Sequence, residues 1–271
     1  MKFTIITVVK NDFKNIKNTI YSVLNQSYKN IEYIVVDGNS TDGTFNYLKS
    51  LKDERVNLYS INDKNLYEAL NFGIKKAKGN YIGILHSGDL YQSKFALSKI
   101  KKKIKSEDFY FCNLSYFNSK NLITRNWKFK NNKINIYNFY QIAHPTLFVK
   151  KKIAKEYYYN ERYYISADID YIINLIKKKL TYKYLNINLT YMKNDGLSSS
   201  ISKRLIEDIN ILLRHFNLLF FFILIMKTLS KIPGLILFNK KKNKIIKYDY
   251  CNQFHFDLFN TYWFSFWPSN S

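Results

Sequence analysis

This sequence predicts an α/β fold on a mainly parallel central sheet, and three observations carry the prediction. In the first 90 of 271 residues, apolar runs of five to seven residues alternate with stretches of helical periodicity. Each run is separated from the next by enough chain for a right-handed helical crossover, which parallel strands require. Acids also recur just past the runs, at Asp12, Asp37 and Asp89. Ligands bind outside the carboxyl ends of such strands, so the third observation also locates a site.

The elements follow in order. Phe3–Val9 reads as a buried strand that ends at Lys10-Asn11-Asp12. Phe13, Ile16, Ile20, Val23 and Leu24 fall at helical spacing, which predicts a helix over Phe13–Asn25. Ile31–Val36 is the second strand, and a helix opened by Thr41-Asp42-Gly43 runs through Leu51. Val56–Ile61, a helix over Leu66–Ala77 closed by Gly79, and Tyr81–Leu85 complete the alternation. Further on, Phe109–Tyr116, Leu122–Phe129, Thr146–Val149 and Tyr182–Leu189 read as strands, and Ile169–Lys179 as a helix. Residues 193–200 are polar and read as a mobile loop.

The last 70 residues change character. Ile201–Arg214 is predicted as a helix leading into Phe216–Met226, where Asn217 is the only polar residue. Eleven helical residues reach about 16 Å, against about 30 Å of hydrocarbon in a bilayer, so this stretch cannot span alone. Lys240–Lys247 is basic and Tyr250–Trp267 rich in aromatics, a composition suited to a headgroup interface. The expected division is a catalytic unit over 1–200, with a nucleotide half over 1–90 and an acceptor half over 91–200. A helical, aromatic-rich extension over 201–271 then binds an anionic membrane surface or, alternatively, buries against the catalytic domain or the second subunit of a homodimer.

Composition bounds the function. With 46% hydrophobic and 23% charged residues, the chain can bury a core, which excludes a disordered polymer. Two cysteines, Cys112 and Cys251, exclude a disulfide scaffold and a cysteine-based zinc cluster. The formal charge is +23, yet residues 1–89 carry 12 basic and 9 acidic groups. The excess therefore begins after the first third. Richness in Lys, Asn, Ile, Tyr and Phe matches a bias toward A/T-rich codons and accounts for much of it without a partner. The other reading is attraction to an anionic surface. No secretory segment is visible, which predicts a cytoplasmic protein, peripheral on the inner face of the membrane.

Three acidic positions are candidates for chemistry. Asp89 follows an apolar strand and the turn Ser87-Gly88, where Gly88 allows positive φ and a close backbone approach. A carboxylate there can hold a hard divalent cation, Mg²⁺ or Mn²⁺, against a diphosphate. The bland reading is a turn or helix-capping Asp. Asp37, at the exit of the second strand, can hydrogen-bond a base or ribose; the alternative is an ordinary turn with Ser40 or Thr41 as the helix cap. No Gly-rich phosphate loop follows the first strand, so a dinucleotide fold is not indicated. Asp168 and Asp170 lie in the first turn of a helix that Ser166 is placed to cap. The helix dipole favours acids there, and residues two apart point in different directions, so at most one faces a site. An ionised carboxylate so placed can act as a general base toward a hydroxyl.

Together these stretches resemble the family 2 glycosyltransferases, in particular bacterial enzymes of the colanic-acid type that build surface polysaccharides. The resemblance rests on Thr4–Asn11, Ser22–Tyr28, Ile31–Thr44, Asn62–Asn71 and Gly79–Leu85, in order and spacing, and covers residues 2–200. It implies a GT-A fold, a nucleotide-sugar donor, expected to be UDP-linked, and inversion at the anomeric carbon. It places Thr7, Val9, Asn11, Asp37, Asp63, Ser87 and Gly88 around the nucleotide, Asp89 on the divalent cation, Asp168 as the base with Asp170 beside it, and His144 toward the acceptor. It departs at Gly88, where relatives carry a carboxylate, at His86, often Asp or Asn, at Asn65, commonly Gly, and at Ala167, often Glu. The expected acceptor is a lipid-linked or growing saccharide. The alternatives are a non-catalytic homologue acting as an assembly partner, which Gly88 favours, and a basic, aromatic-rich nucleic-acid binder. Acids at the strand ends speak against the second, so no nucleic-acid partner is expected.

Overall fold

The computed structural model describes residues 1–193 and 201–225, apart from 132, 136, 220 and 222. The polar loop after Lys193, the basic cluster and the aromatic tail fall outside the described residues. In the first half, β1 (Phe3–Val9), β2 (Ile31–Asp37), β3 (Val56–Ser60) and β4 (Tyr81–Ile84) are all parallel, in the order β3-β2-β1-β4. Crossovers α1 (Phe13–Leu24), α2 (Thr44–Lys49) and α3 (Leu66–Lys76) join them. Every residue of β1 and β2 is buried, which is why both read as continuous apolar runs instead of alternating ones.

The second half closes the same sheet with both pairing senses. It contains β5 (Leu90–Tyr91), α4 (Ala96–Lys103), β6 (Phe109–Phe117), β7 (Ile123–Trp127), β8 (Phe148–Lys150), α5 (Lys151–Glu156), α6 (Ala167–Lys177), β9 (Tyr182–Lys193) and α7 (Ile201–Phe216). The order continues β8-β6-β9-β5 from β4, and β7 pairs with β6. β8 runs antiparallel to β4 and β6, whereas β6 and β9 are parallel. Strand period two then splits the core. Phe3, Ile5 and Val9 pack with Ile16, Ile20 and Val23 of α1 on one face. Ile6 and Val8 pack with Leu70 and Ile74 of α3 and Ile172 and Ile173 of α6 on the other.

Several boundaries differ from the sequence expectation for local reasons. α2 starts at Thr44, not Thr41, because Asp42 Oδ1 takes Thr44 N–H at 3.0 Å and its hydroxyl at 2.6 Å, while Gly43 adopts φ +91°. Neither Ser40 nor Thr41 caps it. His144–Thr146 forms a 3₁₀ turn with Pro at its start, and the strand begins only at Phe148. Thr146 Oγ1 bonds Ala143 O and Cys112 O, which holds that turn. α4 carries Ala96, Leu97 and Ile100 inward among lysines and is too sparse in apolar residues to be read beforehand.

The expected division at residue 200 falls just before a helix that shares the catalytic core. Ile211 and Leu212 of α7, with Ile223 beyond it, belong to the cluster that contains Ile6 and Leu70. No helix among the described residues is long and apolar enough to cross a membrane.

Candidate active site at the carboxyl ends of the parallel strands

The carboxyl ends of β1, β2 and β3 converge on two carboxylates. Asp37 ends β2 fully buried. Its Oδ2 accepts from Ser40 N–H at 3.0 Å and Ser60 Oγ at 3.2 Å, while Oδ1 is buried with no partner. Asp63 follows β3 with its side chain 5% exposed and pairs with Lys10 at 3.2 Å. A Cβ at position 38 would sit 2.9 Å from Asp63 Oδ1, so any larger residue than Gly38 would have to displace that carboxylate. Asn11, at φ 50°, ties the loop after β1 to the loop after β2. Its N–H donates to Ser40 Oγ at 2.8 Å, and its Oδ1 accepts Thr41 N–H at 2.8 Å.

Thr7 and Val9 support this floor from inside. The Thr7 hydroxyl donates to Leu85 O at 2.6 Å and lies 3.0 Å from Tyr33 OH, so it is committed within the sheet. Val9 packs in the α1-side core.

The loop after β4 supplies the second group. Gly88 has φ +90°, a conformation that L side chains rarely adopt. Thr19 of α1 fixes the turn by accepting Gly88 N–H at 3.0 Å and donating to Asp89 O at 2.9 Å. Ser87 Oγ donates to Asp12 Oδ2 at 2.7 Å, joining this loop to the end of β1. Asp89 is 4% exposed; Oδ1 accepts Lys193 N–H at 3.3 Å, and Oδ2 is buried without a partner. Burial pushes its carboxyl up to about 8, the Lys193 amide opposing.

His86 stacks on His144, ring centroids 5.5 Å apart, and His144 Nε2 lies 2.7 Å from Tyr159 OH. Burial lowers His86 to about 3, with His144 adding and Asp168 opposing, and lowers His144 to about 4. Both rings are therefore neutral at ordinary pH. His86 Nδ1 is buried and unpartnered. His144 is itself buried, with His86 on its ring face and Tyr159 at its Nε2.

Helix α6 brings Asp168 to the same place. The carboxylate is half-buried, and its charge acts on His86, Tyr67 and Tyr159. Tyr116 is raised by burial first, lowered by Arg125 and Arg204, and raised further by Asp89 and Asp168. Asp170 is turned elsewhere: its Oδ1 lies 2.7 Å from His215 Nε2 of α7, and its Oδ2 accepts from Asn174 at 3.3 Å. Ser166 does not cap α6, and its hydroxyl is buried without a partner.

Among the described residues no group of three or more His, Cys, Asp or Glu could by itself hold a metal. The residues fit a cation held in another way. Asp89 Oδ2 is a buried oxygen without a hydrogen-bond partner, and Mg²⁺-type sites need only one or two carboxylates when substrate phosphates and water complete the shell.

The sequence reading missed Tyr67, Tyr159, Lys193, Glu207 and His215 as parts of this neighbourhood. Their only sequence signal is aromatic or charged character, which the chain carries throughout. Lys10 and Asp12 were legible as the polar stop after β1.

The glycosyl transferase family 2 profile matches residues 4–185. The chain is 29% identical over 211 residues to the UDP-Glc:alpha-D-GlcNAc-diphosphoundecaprenol beta-1,3-glucosyltransferase WfaP of Escherichia coli, covering 73% of this chain and 82% of that protein. It is similar in fold to S. aureus TarS 1–349, with a TM-score of 0.66 at 19% identity over 89% of this chain and 76% of that one. TarS 1–349 in complex with UDP-GlcNAc also gives 0.66, at 18% identity over 80% and 68%. The mannosyltransferase PcManGT of Pyrobaculum calidifontis, in complex with GDP-Man and Mn²⁺, gives 0.59 at 14% identity, covering 79% of this chain and 63% of that one.

Proposed function

The chain belongs to glycosyl transferase family 2 and is a glycosyltransferase, and from that premise we propose that it transfers a sugar from a UDP-linked donor to a hydroxyl of a lipid-linked saccharide, with inversion, in surface polysaccharide synthesis. The observation that carries the reading is the pair of deeply buried carboxylates, Asp37 and Asp89, each with an unpartnered oxygen at the carboxyl end of the parallel strands. Asp37 Oδ1 accepts a donor N–H or ribose hydroxyl. Asp63 and Asn11 hold the adjoining loops. WfaP's substrates, named for a UDP-sugar and a diphosphoundecaprenol-linked GlcNAc, support the donor and acceptor classes.

A divalent cation on Asp89 would neutralise the diphosphate leaving group. The chain's own part is to orient and to move a proton. Asp168 takes the proton from the acceptor hydroxyl as that oxygen attacks the anomeric carbon and the diphosphate departs from the opposite face. The neutral His86–His144 pair forms an uncharged wall beside the base. Asp170, bound to His215, is not placed to share this work.

The experiment is transfer of radiolabelled sugar from UDP-Glc and UDP-GlcNAc to a diphosphopolyprenyl saccharide, with Mn²⁺, Mg²⁺ or chelator. Transfer by wild type and none by Asp168→Asn supports the proposal. Donor binding with neither transfer nor hydrolysis would instead favour a non-catalytic assembly role, which Gly88 and the sparse acidic motif favour.

The site must meet a lipid-linked acceptor, which suits peripheral attachment to an anionic membrane. Leu205, Ile206 and Leu213 on α7 are exposed beside Lys203 and Arg214, a pattern fitted to the headgroup interface. Salt-sensitive sedimentation with anionic vesicles tests this; indifference to vesicles at low salt rejects it.

A further inference from the structure

Helix α6 presents Asp168 from its first turn, and its N-terminal amides need acceptors. The side chain placed to supply one, Ser166, does not do so. A carboxylate of α7 instead holds the segment that leads into the helix. Glu207 Oε1 accepts Tyr164 N–H at 2.8 Å, and Oε2 accepts Ile165 N–H at 2.9 Å and Ser166 N–H at 2.8 Å. Three successive amides leading into the base helix thus close on one carboxylate. Charge-assisted bonds of this kind are roughly twice as strong as neutral ones.

The same helix grips α6 one turn further on, where His215 Nε2 meets Asp170 Oδ1 at 2.7 Å with both side chains largely buried. Lys177 Nζ donates to His215 O at 2.6 Å from the far end of α6. Asp168 therefore lies between two polar clamps from α7, while Ile211 and Leu212 of that helix insert into the core. On the opposite side, Tyr67 OH donates to Ile165 O at 2.7 Å. The 164–166 segment is held from α3 and α7 together.

We propose that Glu207 is a positioning residue for transfer: by fixing the amides of residues 164–166 it sets the approach of the Asp168 carboxylate to the acceptor hydroxyl. This rests on the reading of Asp168 as the base. It extends the catalytic apparatus past residue 200, into a helix that the sequence assigns to an extension. A misplacement of about 1 Å costs on the order of a hundredfold in rate, whereas nothing in this contact touches the donor-binding carboxylates. The signature is a fall in kcat with unchanged donor affinity.

The test uses the full chain and four proteins: wild type, Glu207→Ala, Asp168→Asn and the double variant, with Glu207→Gln as a conservative fifth. UDP binding by calorimetry reports a folded donor site in each. Expected are a kcat about tenfold or more below wild type for Glu207→Ala, a donor KM within about twofold, and partial recovery in Glu207→Gln, which keeps one acceptor oxygen. Because Glu207 acts through Asp168, adding Glu207→Ala to Asp168→Asn should cost nothing further. Wild-type kcat in Glu207→Ala, or an equal further loss in the double variant, overturns the role of Glu207 while leaving the base reading intact. Full turnover in Asp168→Asn overturns the base reading, and this role with it. If Glu207→Ala does not bind UDP, the comparison passes to Glu207→Gln, in which an unchanged kcat is the overturning result.

Discussion

At the amino end of the parallel strands, Glu32 is 4% exposed, and its Oε2 accepts hydrogen bonds from the Thr4 hydroxyl and from Lys78 N–H at 2.7 Å. At the carboxyl end, Asp37 and Asp89 are buried as deeply, and each keeps an oxygen with no partner. The residue class and the burial are alike; the hydrogen bonding is not. An unsatisfied buried polar group typically costs about 1–3 kcal/mol, and more when charged. Arg55 Nη1, just before β3 at the amino end, is also buried without a partner, but the unpartnered carboxylate oxygens stand at the carboxyl end, where we propose that the donor binds.

The largest expected effect breaks the comparison at the base. Asp168→Asn should lower kcat by about 10²- to 10⁴-fold, the usual worth of general base catalysis, with donor Kd unchanged by calorimetry. Asp170→Asn should keep wild-type chemistry and lose thermal stability, since its partner is His215.

Asp89 comes next. Asp89→Ala should abolish the enhancement of UDP binding by Mn²⁺, measured by calorimetry with and without chelator. The carboxyl also predicts a pH dependence. Its pKa rises from 3.8 in the unfolded chain to about 8 in the fold, so the folded state holds the extra proton. Its contribution to stability is present below pH 4 and lost as pH rises toward 8. His86 and His144 act in the opposite sense. Their folded values of about 3 and about 4 lie below 6.5, so stability falls as pH drops from 6.5 toward 3. Thermal melts of the ligand-free protein should therefore decline on both sides of a maximum between pH 5 and 7, by rough estimate from these shifts. Asp89→Asn should flatten the alkaline side and steepen the acid side, because the Asp89 contribution runs from about pH 4 to about 8.

Asp37→Ala should weaken UDP binding about 10- to 100-fold whether or not a cation is present, the worth of a buried charged hydrogen bond. Equal affinity in the variant would mean that the orphaned oxygen is not the nucleotide contact. The smallest effect on function belongs to the amino end. Glu32→Ala should lower stability by about 1–3 kcal/mol in denaturant melts, because it strands the Thr4 hydroxyl and Lys78 N–H, and leave UDP affinity unchanged. A loss of UDP affinity in that variant would erase the contrast between the two ends.

Much of this was legible in the chain. The strands β1, β2 and β4 could be read because each is a buried apolar run stopped by polar residues, whereas β3 is a half-buried edge strand with apolar and polar residues mixed. Asp37 and Asp89 could be read because each stands at the end of a buried run. The motif set from Thr4 to Leu85 carried the family, because a parallel sheet fixes its ligand contacts within a few residues of the strand ends. β5, with two residues, and the lysine-rich α4 were not legible, since their stability comes from neighbours instead of from their own pattern. The caps went wrong at α2 and α6 for a related reason. Asp42 takes the first role locally, and at α6 no side chain takes it from Ser166: Glu207 of α7 instead binds the amides of residues 164–166, just before the helix.

Sequence by itself therefore determined the parallel half of the sheet, its ligand end, and the acids that stand there, because periodicity and polar stops are properties of local chain. Only the tertiary structure decided that Asp170, not Asp168, meets His215, that His86 and His144 stack as buried rings, and that α7 packs into the core shared by Ile6 and Leu70. Those outcomes depend on which long-range partner satisfies each buried group, and hydrogen bonds such as Asp170 to His215 or Glu207 to Ser166 join residues more than 40 positions apart.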